Sequence, residues 1–319
     1  ALILIFIEPL TSLIVPGFSP QQQAQTVVLT RIILIGQFIL ITGTLFIGIL
    51  QSFQRFIFPA LAGVFYNLGV ILGIVLLYDN FGIMAPAWGV LIGAVLHVLV
   101  QVWLIFSLGF RFDFKRVFHP GVRSIWKLMS FRSIGLAAEQ VNETVGLMLA
   151  SLISTQSYTY LTYAQHLQAV PISLFGASIA QAALPVLSSE KARGRIDEFR
   201  TTLLTTMHQI LFLALPATAI LIIIRIPAVR LIFGAQRFDW PSTVLTGQTL
   251  ALLAIGLSAQ AVSLLFVRGF YALKDTRTPV LISFVVVTIN IILSFYVVRV
   301  LHLEVWSLGL TFSVSSILS

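Results

Sequence analysis

The chain contains no cysteine, and only 9% of its residues are charged. The first absence excludes disulfides, thiol catalysis and thiolate metal sites. The second excludes an ordinary soluble domain, in which about 25% of residues carry charge. Hydrophobic residues instead fill 58% of the 319 positions, and mean hydropathy is +1.01. Such a composition describes an all-α polytopic membrane protein, because apolar runs of helical length close their own backbone hydrogen bonds in lipid. An initiator Met and a signal peptide are also missing, as are a Gly-rich phosphate loop and any metal-ligand spacing. No cofactor and no metal are therefore expected. The chain starts at Ala1 and stops at Ser319, each inside an apolar run, so an internal fragment of a longer protein is expected.

A span needs about 20 apolar residues. About ten candidates follow: 1–15, 27–50, 58–78, 84–107, 132–153, 159–187, 203–224, 243–267, 279–299 and 305–319, the first and last cut short. Loop charge sets their orientation. One set of alternate connections holds Arg55; Arg111, Lys115, Arg116, Arg123, Lys127 and Arg132; Lys191, Arg193, Arg195 and Arg200; and Arg268, Lys274 and Arg277. The opposite set holds only Arg31, Arg225, Arg230, Arg237 and Arg299. The first set is therefore expected on the cytoplasmic side. The net charge of +8 follows from this bias, and nucleic acid is not expected as a partner.

Two stretches suggest an internal repeat. QRFIFPALAGVFYN (54–67) and TRTPVLISFVVVTIN (276–290) each place a basic residue before a proline, Pro59 or Pro279, and an asparagine, Asn67 or Asn290, within the next span. Proline suits the first turn of a helix, and paired lobes are common in transporters. A loop–proline–helix pattern also arises by chance, so the repeat stays an open reading. RIPAVRLIFGAQRFDWPS (225–242) is too short to span. It reads either as an interfacial amphipathic turn on the outer face or as a plain loop.

Polar groups in hydrocarbon usually face a bundle interior or a wet cavity. Span 132–153 carries Arg132, Glu139, Gln140, Asn142 and Glu143, with the two glutamates stacked four residues apart. The next span carries Gln165, His166 and Gln168, with Ser173 one heptad beyond His166. A short turn joins the two spans, so these residues are candidates to line one substrate cavity. The competing reading makes the glutamates interhelical ion-pair partners and His166 a structural histidine. A lone His97 reads as structural. Pro171 and Pro185 in one span, and Pro216 in the next, are expected to kink their helices.

RGFYALKDTRTPV (268–280) resembles a cytoplasmic connection of the lipid II flippase (MurJ/MviN) family, whose pattern is close to R-x-F-Y-A-x-x-D-T-x-T-P. Arg268, Phe270, Tyr271, Asp275, Thr276 and Pro279 carry the match. YAQHLQAVPISLFGASIAQAALPVLS (163–188) is similar to the family's Y-A-x-R-L-x-x-x-P run and its following L-P-x-L-S. GILQSFQRFIFPALAGVFYN (48–67), LIFGAQRFD (231–239) and PGF (16–18) also match, in order.

The resemblance implies a two-lobed, pseudo-symmetric exporter bundle. Residues 1–110 would end the amino-terminal lobe with four spans, 111–131 would be a basic cytoplasmic connection, and 132–319 would form six spans of the carboxy-terminal lobe. It implies a non-enzymatic carrier of the bacterial cytoplasmic membrane. Such a carrier moves lipid II, or a related polyprenyl-pyrophosphate-linked glycan, to the outer leaflet by alternating access. Membrane lipids and the cell-wall synthesis machinery would be its neighbours. In the family the arginine of YAxR faces a cationic cavity that receives the pyrophosphate. Here His166 stands at that position, and Gln165 where an acidic residue often precedes it.

Overall fold

A chain this apolar has to close its hydrogen bonds locally in lipid, and helices do so. The computed structural model describes residues 6–53, 55, 57–109, 120–234 and 238–319, and only the backbone of 120–132 and 134–136. Every described element is helical. Contacts divide the chain into two units, Ala1–Leu13 with Phe18–His119, and Ile14–Gly17 with Pro120–Ser319.

The first unit contains α1 (Ile7–Ile14), α2 (Pro20–Ser52), α3 (Ile57–Phe81) and α4 (Ala85–Ser107). Ser19 starts α2 as a capping box: its hydroxyl accepts the Gln22 N–H at 3.3 Å, and the Gln22 side chain accepts the Ser19 N–H at 2.9 Å. α3 and α4 fold back on one another through a short 3₁₀ turn, Gly82–Met84. Glycines bring their backbones together: a Cβ on Gly69 would lie 2.4 Å from the Gly93 Cα, and one on Gly73 would lie 2.1 Å from the Gly89 Cα. Small residues serve this purpose in membranes, where burial between helices has no water to escape from. His97 on α4 is buried, with Nδ1 3.2 Å from the Ala62 carbonyl, in line with a structural role.

The second unit contains α5 (Pro120–Ile153), α6 (Thr155–Pro171), a π-helical segment (Ile172–Ala177), α7 (Ser178–Ala192), α8 (Ile196–Ile223), α9 (Arg225–Phe233), α10 (Trp240–Ile255), α11 (Leu257–Ala272), α12 (Arg277–Arg299) and α13 (Trp306–Leu318). Its core is two apolar clusters. One joins Leu149, Leu161, Leu167, Val229, Leu250, Leu253, Val298 and Leu308. The other joins Ala180, Leu187, Phe199, Ile210, Leu257, Ala261 and Leu265. Two long helical runs pass from the first cluster to the second, and both are irregular at the crossing. The α6–α7 run takes its π-helical segment there, directly after Pro171. The α10–α11 run bends by 45° there. π-Segments and bends of this kind follow where a proline or an inserted side chain interrupts the i→i−4 ladder.

Several expectations change in detail. The helix expected to begin near residue 132 runs back to Pro120, a residue suited to a first turn. The span expected over 243–267 is two helices meeting at Gly256. Pro185 and Pro216 lie inside α7 and α8, where the kinks expected of them would fall. Among the described residues five helical stretches are long and apolar enough to cross a membrane, or six with the bent α10–α11 pair. One of the five, Ile57–Ser107, is the α3–α4 hairpin, each arm of which is long enough alone. The count of about ten is not reached on length and composition, because α1 is only 8 residues long and α13 only 13, and α5 is not among the stretches apolar enough. The basic connection falls largely outside the described residues.

The glycine contacts between α3 and α4 make one prediction. Gly73→Leu should lower the stability of the protein by about 1–3 kcal/mol through overpacking, whereas a leucine at Gly63, where a Cβ meets no atom within 4 Å, should change it little. Unfolding in detergent with increasing SDS measures both.

Candidate functional site

A cavity of about 630 Å³ opens in the second unit, between α5, α6, the π-segment, the α10–α11 run and α13. It takes in Gln165, His166, Gln168 and Ser173 from the α6 run and Glu143 from α5. Tyr158, Thr162, Gln260 and Ser316 complete its polar lining. Tyr158, Thr162, Gln165 and Ala169 recur every three or four residues, which places them on one face of α6. That periodicity was available to extend the stripe back from His166 to Thr162 and Tyr158. Gln260 and Ser316 come from helices whose register no local pattern reveals.

The other expected residues go elsewhere. Asn142 is not in the cavity lining: its Oδ1 accepts the Asn290 Nδ2–H of α12 at 2.7 Å. Asn290 continues to Ser294, whose hydroxyl lies 2.8 Å from that of Thr311 on α13. Glu139 is exposed and does not line the cavity. The side chain of Arg132 lies outside the described residues.

The polar residues of α6 are not equivalent. Gln168 is buried, and its Nε2–H donates to the Leu253 carbonyl at 2.7 Å. Leu253 belongs to the last turn of α10, just before the bend, where the regular ladder stops. The Ser313 hydroxyl of α13 closes the same gap. It accepts the Gly256 N–H at 2.9 Å and directs its single proton toward the carbonyls of Leu252 and of Leu253, the latter at 3.0 Å. Gly256 admits this approach because a Cβ there would lie 2.7 Å from the Ser313 Cα. Gln168 and Ser313 thus add side-chain partners at the broken end of the helix, where the Leu253 carbonyl also accepts the Gly256 N–H at 3.2 Å. By contrast, among the described residues the side chains of Gln165, His166 and Gln260 make no hydrogen bond, so their amide and imidazole groups face the cavity with donors and acceptors to offer. Ser173 spends its hydroxyl on the Val170 carbonyl, at 2.8 Å, and its own carbonyl accepts the Ser178 hydroxyl at 2.9 Å. It therefore closes the π-segment.

Among the described residues the lining holds one carboxylate, Glu143, one imidazole and no lysine or arginine. Among the described residues no cluster of three metal-ligating side chains occurs. What this arrangement offers is hydrogen bonds to hydroxyls and amides, with a single site for positive charge.

The RGFYALKDTRTPV stretch forms a connection rather than a cavity wall. α11 ends with Lys274 in the left-handed region, at φ 63. The Lys274 N–H donates to the Tyr271 carbonyl at 3.0 Å and the Asp275 N–H to the Phe270 carbonyl at 2.9 Å, which is a Schellman ending. The Asp275 carboxylate then accepts from the Arg277 N–H at 2.9 Å and from the Thr278 N–H and hydroxyl at 3.1 and 2.6 Å. Pro279 is buried in the first turn of α12. One residue ends a helix and starts the next. The Thr278 hydrogen bonds hold the Asp275 carboxyl below the usual aspartate range.

Helical runs that break beside a polar cavity define the class: an all-helical, multi-span membrane protein of the kind in which transporter folds are found. The comparisons give the family. A family model described as "Lipid II flippase MurJ" matches residues 1–319, and the chain belongs to that family, which is one of flippases rather than enzymes. A probable lipid II flippase MurJ of Rhizobium meliloti is 31% identical over 293 residues, covering 88% of this chain and 54% of its own length. One from Bdellovibrio bacteriovorus is 28% identical over 308 residues, covering 94% and 59%. The chain thus spans a little over half the length of these relatives. Among solved structures, a lipid II flippase MurJ in its inward closed conformation matches with a TM-score of 0.85 at 24% identity, over 99% of this chain and 66% of that one. An inward-facing multidrug resistance MATE transporter matches with 0.84 at 14% identity, over 99% and 73%. At these identities the likeness is one of fold.

Two predictions follow from the hydrogen bonds. Ser313→Ala should cost about 0.5–2 kcal/mol, the range of hydrogen bonds within membrane bundles, and Ser313→Cys should recover little of it; SDS unfolding reads both. For Asp275 the native carboxyl titrates below its unfolded value of about 3.9. Its contribution is then present at neutral pH and disappears as pH falls through the lowered native value. The gap in melting temperature between wild type and Asp275→Asn should therefore be full at pH 7 and shrink toward pH 3, measured in nanodiscs.

Proposed function

We propose that the protein containing this chain moves lipid II across the bacterial cytoplasmic membrane, from the inner to the outer leaflet, by alternating access. The observation that carries this reading is a polar cavity beside two irregular helical runs in a chain matched along its whole length by the lipid II flippase family. A pyrophosphate-linked glycan cannot pass bare hydrocarbon, since burying its charge without partners is too costly. A cavity of amides, hydroxyls and an imidazole replaces the water around the sugars and peptide, while the polyprenyl tail stays in lipid. Outward movement of the anionic headgroup gains about 2.3 kcal/mol per charge per 100 mV of inside-negative potential. The cell-wall enzymes that use the glycan on the outer face are the partners this role calls for.

One observation favours a second substrate of the same class. Among the described residues no lysine or arginine lines the cavity, and His166 stands where the family carries an arginine. An exporter of another polyprenyl-linked glycan, with different demands on its anion site, fits that lining too. The test uses the full-length protein in cells depleted of their own lipid II flippase, with lipid II counted in the outer leaflet. Wild type should restore it. His166→Ala should reduce the rate about tenfold, as expected when a hydrogen bond to a charged group is lost, and His166→Arg should retain most of it. Correctly inserted wild type that restores none would transfer the reading to the other glycan.

A further inference from the structure

α10 separates two cavities. Leu253 lines the one described above, and its neighbour Leu252 lines a second, of about 580 Å³, with Ile222, Arg225, Gln248, Ala251 and Trp306. We propose that this second groove is a binding site for an anionic phospholipid, with Arg225 as the ligand of its phosphate and the aliphatic wall as the seat of an acyl chain. The proposal does not rest on the flippase reading, and its test involves no transport.

Charge is the first argument. Arg225 is half-buried, and among the described residues no carboxylate lines the groove. Among the described residues its one hydrogen bond runs from Nη1 to the Ile222 carbonyl at 2.8 Å. That bond holds the guanidinium at the end of α8 without neutralising it. The rest of the planar fork remains for an acceptor, and phosphate is the anion that this fork fits best. A charge next to hydrocarbon needs such a partner.

Depth is the second argument. α8 ends at Ile223, and the 9-residue α9, too short to span, links it to α10. α9 buries Val229 and leaves Leu231 88% exposed, with Ile232 beside it, as a helix lying in the membrane boundary does. Stacking of Phe233 on Tyr163, with ring centroids 4.1 Å apart, fixes that helix against α6. Trp306 opens α13 at the same level, where indole rings concentrate in membrane proteins. Arg225 is therefore at headgroup height. Below it the groove offers Ile222, Ala251 and Leu252, which suit a hydrocarbon chain and give free phosphate nothing to hold. Gln248 supplies an amide for the glycerol or headgroup oxygens.

The full-length protein, purified and delipidated, would be titrated with phosphatidylglycerol or phosphatidylcholine and the bound lipid counted by native mass spectrometry. Phosphatidylglycerol should bind to wild type and about tenfold more weakly to Arg225→Gln, the loss expected for one charge-assisted contact. Ala251→Phe, which fills the groove and keeps the guanidinium, should show a similar loss, so a folding defect in the arginine variant would not decide the matter. Chain-brominated phosphatidylglycerol should quench the Trp306 emission of wild type, read as its difference from Trp306→Phe. Equal binding by wild type and both variants, equal binding of the two lipids, or unquenched Trp306 would each overturn the site. Displacement of the lipid by millimolar inorganic phosphate would also overturn it, by making free phosphate the ligand.

Discussion

Two carbonyl groups, those of Leu252 and Leu253, govern the architecture of the second unit. In water a helix that breaks loses little, because solvent takes over its orphaned groups. In lipid each orphan costs several kcal/mol, so a break survives only where other side chains reach it. Here α13 supplies the Ser313 hydroxyl and α6 supplies the Gln168 amide. The break in turn allows α10 to pack with α6 and α13 in one apolar cluster while α11 packs with α7 and α8 in the other. The run from Trp240 to Ala272 thus serves both clusters through its 45° bend.

This constraint divides the polar residues of α6 by role. Gln168 is committed to the backbone of another helix, and Ser173 to the backbone of its own. Gln165 and His166 keep their groups turned to the cavity. The three polar side chains between 165 and 168 are therefore one device with two faces, one that holds the broken span and one that meets whatever enters the cavity. Among the described residues Glu143 is the one carboxylate of the lining, and no lysine or arginine accompanies it. The site as built by the described residues is a hydrogen-bonding surface.

How far the sequence disclosed this depends on the range of the interaction. Gln165, His166, Gln168 and Ser173 were legible because helical periodicity puts them on adjacent faces of one span, and Glu143 because it lies one short turn upstream. Pro171 announced an irregularity, though not its form, a π-helical segment in which Gly176 meets Ala261 of α11. Asn142 looked like a cavity residue and instead bonds Asn290, a pairing 148 positions apart that no local pattern encodes. The bend at Gly256 left no mark of its own: a glycine in an apolar run is ordinary in a membrane helix, and only the opposing Ser313 makes it a break. Ser313 in turn reads as one small residue among several.

The position of the Gln168–Leu253 bond has a further consequence. Both residues line the cavity, so water or a ligand hydroxyl can take the place of either partner as the bond opens. The Ser313–Gly256 contact is buried on the far side and has no such substitute. Any shift of α6 against α10 therefore exchanges one satisfied hydrogen bond for another at little cost, while α13 stays fastened to the break. A rearrangement in lipid is easiest where the alternative partner is already at hand, and within this unit the cavity wall meets that condition at Gln168. The bend stays fixed by Ser313, and the wall beside it is free to adjust.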